Sequence, residues 1–146
     1  MISFDTNIAV HAANTASPHH DSARAFLQSL ATRRDAAVCE LVLVALHLKL
    51  GNAKIFSRPL TASQAAAVCQ SYRKNQAWTL IEFAPVMAEV WETAAGKDFA
   101  FRRIIDLRLA RTLRHHGVSE FATANEKDFA GQGFLKVWNP LKPEPS

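Results

Sequence analysis

Two aspartates stand just after short apolar runs of strand character. Asp5 follows Ile2, Ser3 and Phe4, and Asp128 ends the segment Thr123-Ala-Asn-Glu-Lys-Asp that follows residues 118–122. In an open parallel sheet, ligands bind outside the carboxyl ends of the strands, so acids there are candidates for a site. Glu40 joins them if residues 36–39 form a strand that ends before it. Asp106 differs, because Leu109, Ala110 and Leu113 share its helix face three, four and seven residues further on. A carboxylate heading an apolar stripe is expensive to bury unless it pairs with Arg102 or Arg103 or binds a cation.

Taken singly, these acids have ordinary explanations: Asp5 as a helix cap or turn former, Asp128 as a solvated loop acid. Taken together they suggest a reaction. Carboxylates within ~4 Å of one another repel by about 4 kcal/mol per pair at an effective dielectric near 20. A divalent cation relieves that repulsion, and oxygen-only ligation favours magnesium or manganese over zinc. Such an ion lowers the pKa of a bound water and offsets charge on a phosphoryl oxygen, which is the chemistry of phosphodiester hydrolysis. The Asp106 segment also carries Arg102, Arg103, Arg108, Arg111 and Arg114. Arg108 and Arg111, one turn apart, read as a basic ridge suited to phosphates or as a solvated face whose stems cover apolar surface.

No histidine pair has the i, i+4 spacing of a metal site; all six read as structural or surface groups, with His11 a distant candidate because it follows Asp5 closely. The three tryptophans, in apolar contexts, are expected in the core. Cys39 and Cys69 have no zinc-ligand or disulfide pattern around them and are expected to be small buried hydrophobes.

The elements that must position these residues alternate. Strands are expected near residues 2–4, 36–39, 78–83, 118–122 and 135–138. Helices are expected after Thr6 or Asn7 as cap, after Asp21 or Ser22, over 41–50 ending at Gly51, after the capping box Thr61-Ala-Ser-Gln64, over 87–95, and over 101–116 before a left-handed Gly117. Strand-helix alternation implies an α/β fold with a parallel sheet covered on both faces.

The chain has 146 residues, 49% hydrophobic and 21% charged, with 5 Gly and 6 Pro, which is one ordinary globular domain over 1–141 followed by a short Pro-rich tail over 142–146. No apolar run approaches the ~18 residues of a membrane span. The N-terminus lacks the pattern of a secretory signal, so a cytoplasmic protein with no membrane partner is expected. The net charge of +4 suits a polyanionic partner without requiring one. Neither Gly-x-Gly-x-x-Gly nor a P-loop is present, which disfavours a nucleotide-binding domain.

Phe4-Asp5-Thr6-Asn7, Arg103-Ile-Ile-Asp106-Leu-Arg-Leu-Ala110 and Thr123-Ala-Asn125-Glu-Lys-Asp128-Phe129, in this order and spacing, resemble the motifs of PIN-domain ribonucleases, in particular VapC-type toxins of toxin-antitoxin pairs. The resemblance runs to about Leu141. It implies a three-layer α/β/α domain around a parallel sheet of about five strands, a homodimer, magnesium- or manganese-dependent cleavage of RNA, and neutralisation by a small antitoxin. By motif, Asp5, Asp106 and Asp128 would be the metal-site acids, Asn7, Thr123 and Asn125 their supports, and Arg102 and Arg103 substrate contacts.

One position departs from the pattern. The family places a glutamate on the helix beginning near residue 41, in a run like Val-Leu-x-Glu; here Val42-Leu43-Val44 is followed by Ala45. Glu40 lies five residues away, about 500° of rotation and ~7.5 Å of rise if helical, so it cannot occupy the same point. Either the acid is lost or Glu40 reaches in from the strand end. Since Ala is an excellent helix former, the expectation is a folded domain with impaired nuclease activity. The competing reading is a non-catalytic PIN-fold module that binds antitoxin or RNA.

Overall fold

The structure is a computed structural model that describes residues 1–143. The end of the Pro-rich tail, residues 144–146, lies outside the described residues.

Ile2–Phe4 form β1, buried along its length. Asp5, in extended conformation, caps α1 (Thr6–Ala13), so the cap is the acid itself rather than Thr6 or Asn7. Helix α2 (His20–Leu30) starts at an N-cap His19 that makes no side-chain capping bond, so neither Asp21 nor Ser22 caps it. Strand β2 (Ala37–Cys39) runs directly into α3 (Glu40–Leu50). That helix is apolar on nearly every side: Val42, Leu43, Leu46 and Leu50 are buried, while Val44 and Leu48 stay exposed. Gly51 ends it with φ of −90°, not in the left-handed region.

The capping box of α4 (Ala62–Arg73) forms as read, with Thr61 Oγ1 accepting from Gln64 N–H and Gln64 Oε1 accepting from Thr61 N–H. After β3 (Thr79–Ile81) come α5 (Met87–Ala94), a 3-10 turn at Phe101–Arg103, and α6 (Ile104–His115). The long late helix expected from the sequence is thus tighter in its first turn. Gly117, at φ of +86°, reverses the chain as expected. Strand β4 (Glu120–Ala122) precedes α7 (Glu126–Phe129), a short helix where a plain loop was expected, and β5 (Lys136–Trp138) follows.

All pairings are parallel. Strand β1 pairs with β4, and β4 with β5; β2 pairs with β3. The two groups meet at one bridge, Ile2 to Ala36, reinforced by the Ser3 hydroxyl donating to the Ala37 carbonyl at 2.6 Å. The five strands therefore run in the order β3-β2-β1-β4-β5, within the expected three-layer α/β/α arrangement. From β1 the chain builds outward to β2 and β3, then returns past β1 to β4 and β5. The reversal at β1 and β4 opens a crevice at their carboxyl ends, the usual ligand position in such sheets.

One apolar core spans the sheet and its helices, including Phe4, Ile8, Leu46, Leu50, Phe121 and Phe129, with the Phe121 and Phe129 rings 4.7 Å apart. A smaller cluster of Val86, Val90 and Leu107 joins α5 to α6. Trp78 and Trp138 pack against the main core, but Trp91 is 62% exposed, because its side of α5 turns away from α6. Cys39 is buried as expected; Cys69 is only half-buried, on the outer helix α4.

Candidate active site

Asp5 stands at the crevice because β1 ends in it and α1 begins at it. Its backbone N–H donates to the Ala122 carbonyl at 2.9 Å, extending the β1–β4 ladder by one residue. The carboxylate is 8% exposed and fully engaged: Oδ1 accepts from Thr6 N–H at 2.8 Å, and Oδ2 accepts from Thr123 Oγ1 at 2.7 Å and Asn7 Nδ2 at 3.5 Å. Burial pushes this carboxyl above its ordinary range, against the pull of the Thr123 and Thr6 hydrogen bonds and of the Lys49 charge; Asp128 adds to the rise.

The loop after β4 is stitched to the same acid. Asn7 Oδ1 accepts from Ala124 N–H at 3.2 Å, and Thr123 Oγ1 accepts from Asn125 N–H at 3.0 Å while donating to Asp5. Asn125 thus takes part through its backbone: its carbonyl accepts from Asp128 N–H at 3.0 Å, and its side chain does not cap α7. That turn holds Asp128, whose charge acts on Asp5.

Asp106 enters from α6. Its carboxyl is also raised, first by partial burial and then by the charges of Asp5 and Asp128, while Arg103 and Lys49 pull it down. Three carboxylates from β1, α6 and α7 therefore feel one another, although 101 and 22 residues separate them in sequence. Among the described residues, no ion pair neutralises Asp106 within 4 Å, so the alternative of a salt bridge to Arg102 or Arg103 is not realised.

Glu40 is not brought to this group. Its carboxylate pairs with Arg73 of α4, because the first turn of α3 directs it toward α4. Ala45 is better placed. Thr6 Oγ1 donates to the Val42 carbonyl at 3.3 Å, which sets that side of α3 against the first turn of α1, and Ala45 lies three residues on, in the next turn of the same face. Lys49 follows four residues after Ala45, and its charge reaches Asp5, Asp106 and His11. Sequence reasoning missed Lys49; its i, i+4 spacing from position 45 was the available signal.

Of the candidate substrate contacts, Arg102 is exposed, while Arg103 donates weakly to the Asp128 carbonyl at 3.5 Å and borders a cavity of about 80 Å³ with Phe99, Leu107, Asp128 and Gln132. The basic ridge is partly consumed by the fold: Arg111 donates to Gln132 and Arg114 to the Val118 carbonyl, leaving Arg108 exposed. His11 lies beyond the acids, its Nδ1 2.7 Å from Ser17 Oγ, with burial and the neighbouring His19 lowering its pKa.

No family model matches the chain. The curated protein Ribonuclease VapC24 of Mycobacterium tuberculosis, found in strains CDC 1551 and H37Rv, is 53% identical over 141 residues, 97% of each chain. Among solved structures, M. tuberculosis VapC20, a Sarcin-Ricin loop cleaving toxin, superposes with a TM-score of 0.68 at 17% identity, over 92% of this chain and 97% of that one. FitAcB from Neisseria gonorrhoeae superposes with a TM-score of 0.63 at 19% identity, over 98% of this chain and all of the other. The solved structures show the PIN fold, and identity of this extent over nearly the whole length shows that the chain belongs to the VapC ribonuclease family.

Proposed function

We propose that this chain is a divalent-metal-dependent endoribonuclease, the toxin of a toxin-antitoxin pair, whose activity is impaired by Ala45. The reading is supported by the mutual electrostatic influence of Asp5, Asp106 and Asp128, with Asp5 at the β1/β4 crevice and bonded to Thr123. Family membership, with a relative named a ribonuclease, supplies the reaction class.

The donor set fits a hard divalent cation. All three acids offer oxygen, and the mutual repulsion of their charges is what such an ion relieves. Among the described residues, no three acidic, histidine or cysteine side chains stand close enough to enclose a metal ion. The fitting ion is therefore one held by one or two carboxylates and completed by water, as magnesium is, with manganese the alternative. Asp5 and Asp106 would hold it, and Asp128 would act through water. When bound, the ion supplies an activated water and offsets charge on the phosphoryl oxygen.

The protein's own groups do the positioning. Thr123, Asn7 and the Thr6 backbone orient the Asp5 carboxylate, so its geometry is set before substrate arrives. Arg102 and Lys49 attract the RNA backbone to the crevice. Ala45 offers no oxygen on the face of α3 that meets α1, which weakens ion affinity and the hold on the attacking water while leaving the helix intact.

Ala45 also favours a second reading, a non-catalytic PIN-fold module that binds antitoxin or RNA. Cleavage of RNA with manganese by this chain, by Ala45→Glu and by Ala45→Glu with Asp5→Asn separates the two. Cleavage restored by the glutamate and abolished by Asp5→Asn supports an impaired nuclease. Absence of cleavage in every variant, across tRNA, rRNA and messenger substrates, sinks it in favour of the binding module. A small antitoxin and a homodimer complete the proposal; the exposed apolar pair Val44 and Leu48 on α3 supports an association face. Among the described residues, no helix is long and apolar enough to cross a membrane, and a cytoplasmic location is the site at which such a toxin would meet its RNA.

A further inference from the structure

An open recess of about 440 Å³ is bounded by Ala124, Asn125, Glu126, Lys127, Asp128 and Lys142, so that one of the three acids, Asp128, lines it. That volume falls within the ~300–1,000 Å³ typical of ligand sites. Its two lysines come from different elements. Lys127 rides on α7, and Lys142 follows β5, placed there by buried Leu141 and by a turn in which Asn139 Oδ1 accepts from Leu141 N–H at 2.9 Å. The recess is tied to the acidic site through its own wall: Asn125 N–H donates to Thr123 Oγ1, and that hydroxyl donates to Asp5.

We propose that this recess seats the RNA nucleotide next to the scissile phosphate, with Lys127 and Lys142 holding its backbone phosphate. The inference rests on the ribonuclease reading and extends its substrate path to the C-terminal segment. Lysine ammoniums are mobile point charges that suit phosphates irrespective of base, and no arginine fork lines the recess. Lys142 Nζ sits 2.9 Å from Glu126 Oε1, with 69% and 38% of the two side chains exposed. So exposed a pair is weak in water, so a phosphate readily replaces the carboxylate. Lys127 is exposed and lines the recess together with its chain neighbour Asp128, so an anion is best accepted once a cation offsets that acid.

The test is fluorescence anisotropy of a labelled single-stranded oligoribonucleotide with the full chain, at one calcium concentration and varied potassium chloride. Lys127→Met with Lys142→Met is expected to weaken binding several-fold at low salt. It should also make the slope of log affinity against log salt shallower by about 0.7 for each lysine. Lys142→Arg should bind like the parent, and Glu126→Gln should bind more tightly. An unchanged slope in the double variant, with the parent binding normally, overturns the recess assignment alone. No RNA binding by the parent overturns it together with the ribonuclease reading. Loss of affinity for a polyglutamate peptide, with RNA binding intact, assigns the recess to an acidic protein segment and overturns the RNA assignment. Both lysines are exposed, so unchanged thermal unfolding shows that the variants are folded.

Discussion

Thr123 donates its hydroxyl to Oδ2 of Asp5 at 2.7 Å while Thr123 Oγ1 accepts the Asn125 N–H, so one buried side chain joins the end of β4 to the acid at the end of β1. Thr123→Val keeps the shape but strips Asp5 of its shortest hydrogen bond and leaves the Asn125 amide without its acceptor. A hydrogen bond to a charged group contributes about 1.5–3 kcal/mol. Urea unfolding at neutral pH should show a loss of that order, and a loss under ~0.5 kcal/mol means that water replaces the hydroxyl.

The pH dependence follows from the direction of the Asp5 and Asp106 shifts. Both carboxyls are raised in the folded protein, burial being the largest cause. Their contribution to stability is therefore full below the unfolded carboxyl pKa and is lost as pH rises through the folded values. In metal-free buffer, the Tm of Asp5→Asn relative to the parent should therefore improve as pH rises from acid to neutral. A relative Tm that falls over the same pH range contradicts this sign.

Ala45→Glu should tighten manganese binding by roughly 10-fold or more, the scale on which metal sites respond to loss or gain of a supporting group. Isothermal titration calorimetry in the absence of RNA reads this without turnover. Equal affinities with and without the glutamate place position 45 outside the ion's reach.

Glu40→Gln should leave manganese affinity within about twofold, because the Glu40 carboxylate is committed to Arg73 and does not act on Asp5 or Asp106. A large loss in the same titration would show Glu40 swinging into the site to serve in place of the missing acid.

Lys49→Met removes a cation that acts on both Asp5 and Asp106. Manganese should bind a few-fold more tightly at low ionic strength, and the difference should shrink at high salt because Lys49 is exposed and screened. RNA should bind less well for the same electrostatic reason. If manganese affinity is unmoved at low salt, Lys49 lies too far from the ion to matter.

The sequence by itself determined the alternation of elements and hence the fold class. Local signals are strong where backbone chemistry is local: the Thr61 capping box, the left-handed Gly117, and the apolar runs of β1 and β2 all stand where the residues place them. Asp5 and Asp128 were legible as candidates because an acid after a strand lies at a defined end of a parallel sheet, Asp106 because it heads an apolar helix stripe, and the absence of a glutamate at position 45 needs only the sequence to be seen. Tertiary structure decided the rest, because it depends on which distant groups share space. Nothing local distinguishes Glu40 paired with Arg73 from Glu40 reaching into the site, for its partner lies 33 residues away on another helix. The spacing of Lys49 from position 45 places it on one face of α3 but not beside two aspartates, and no spacing places Lys142 at a recess beside Asp128. The exposure of Trp91 depends on which side of α5 meets α6. Helix and strand propensities act over a few residues, whereas charge, burial and packing act across the fold, and the site is made by the second kind.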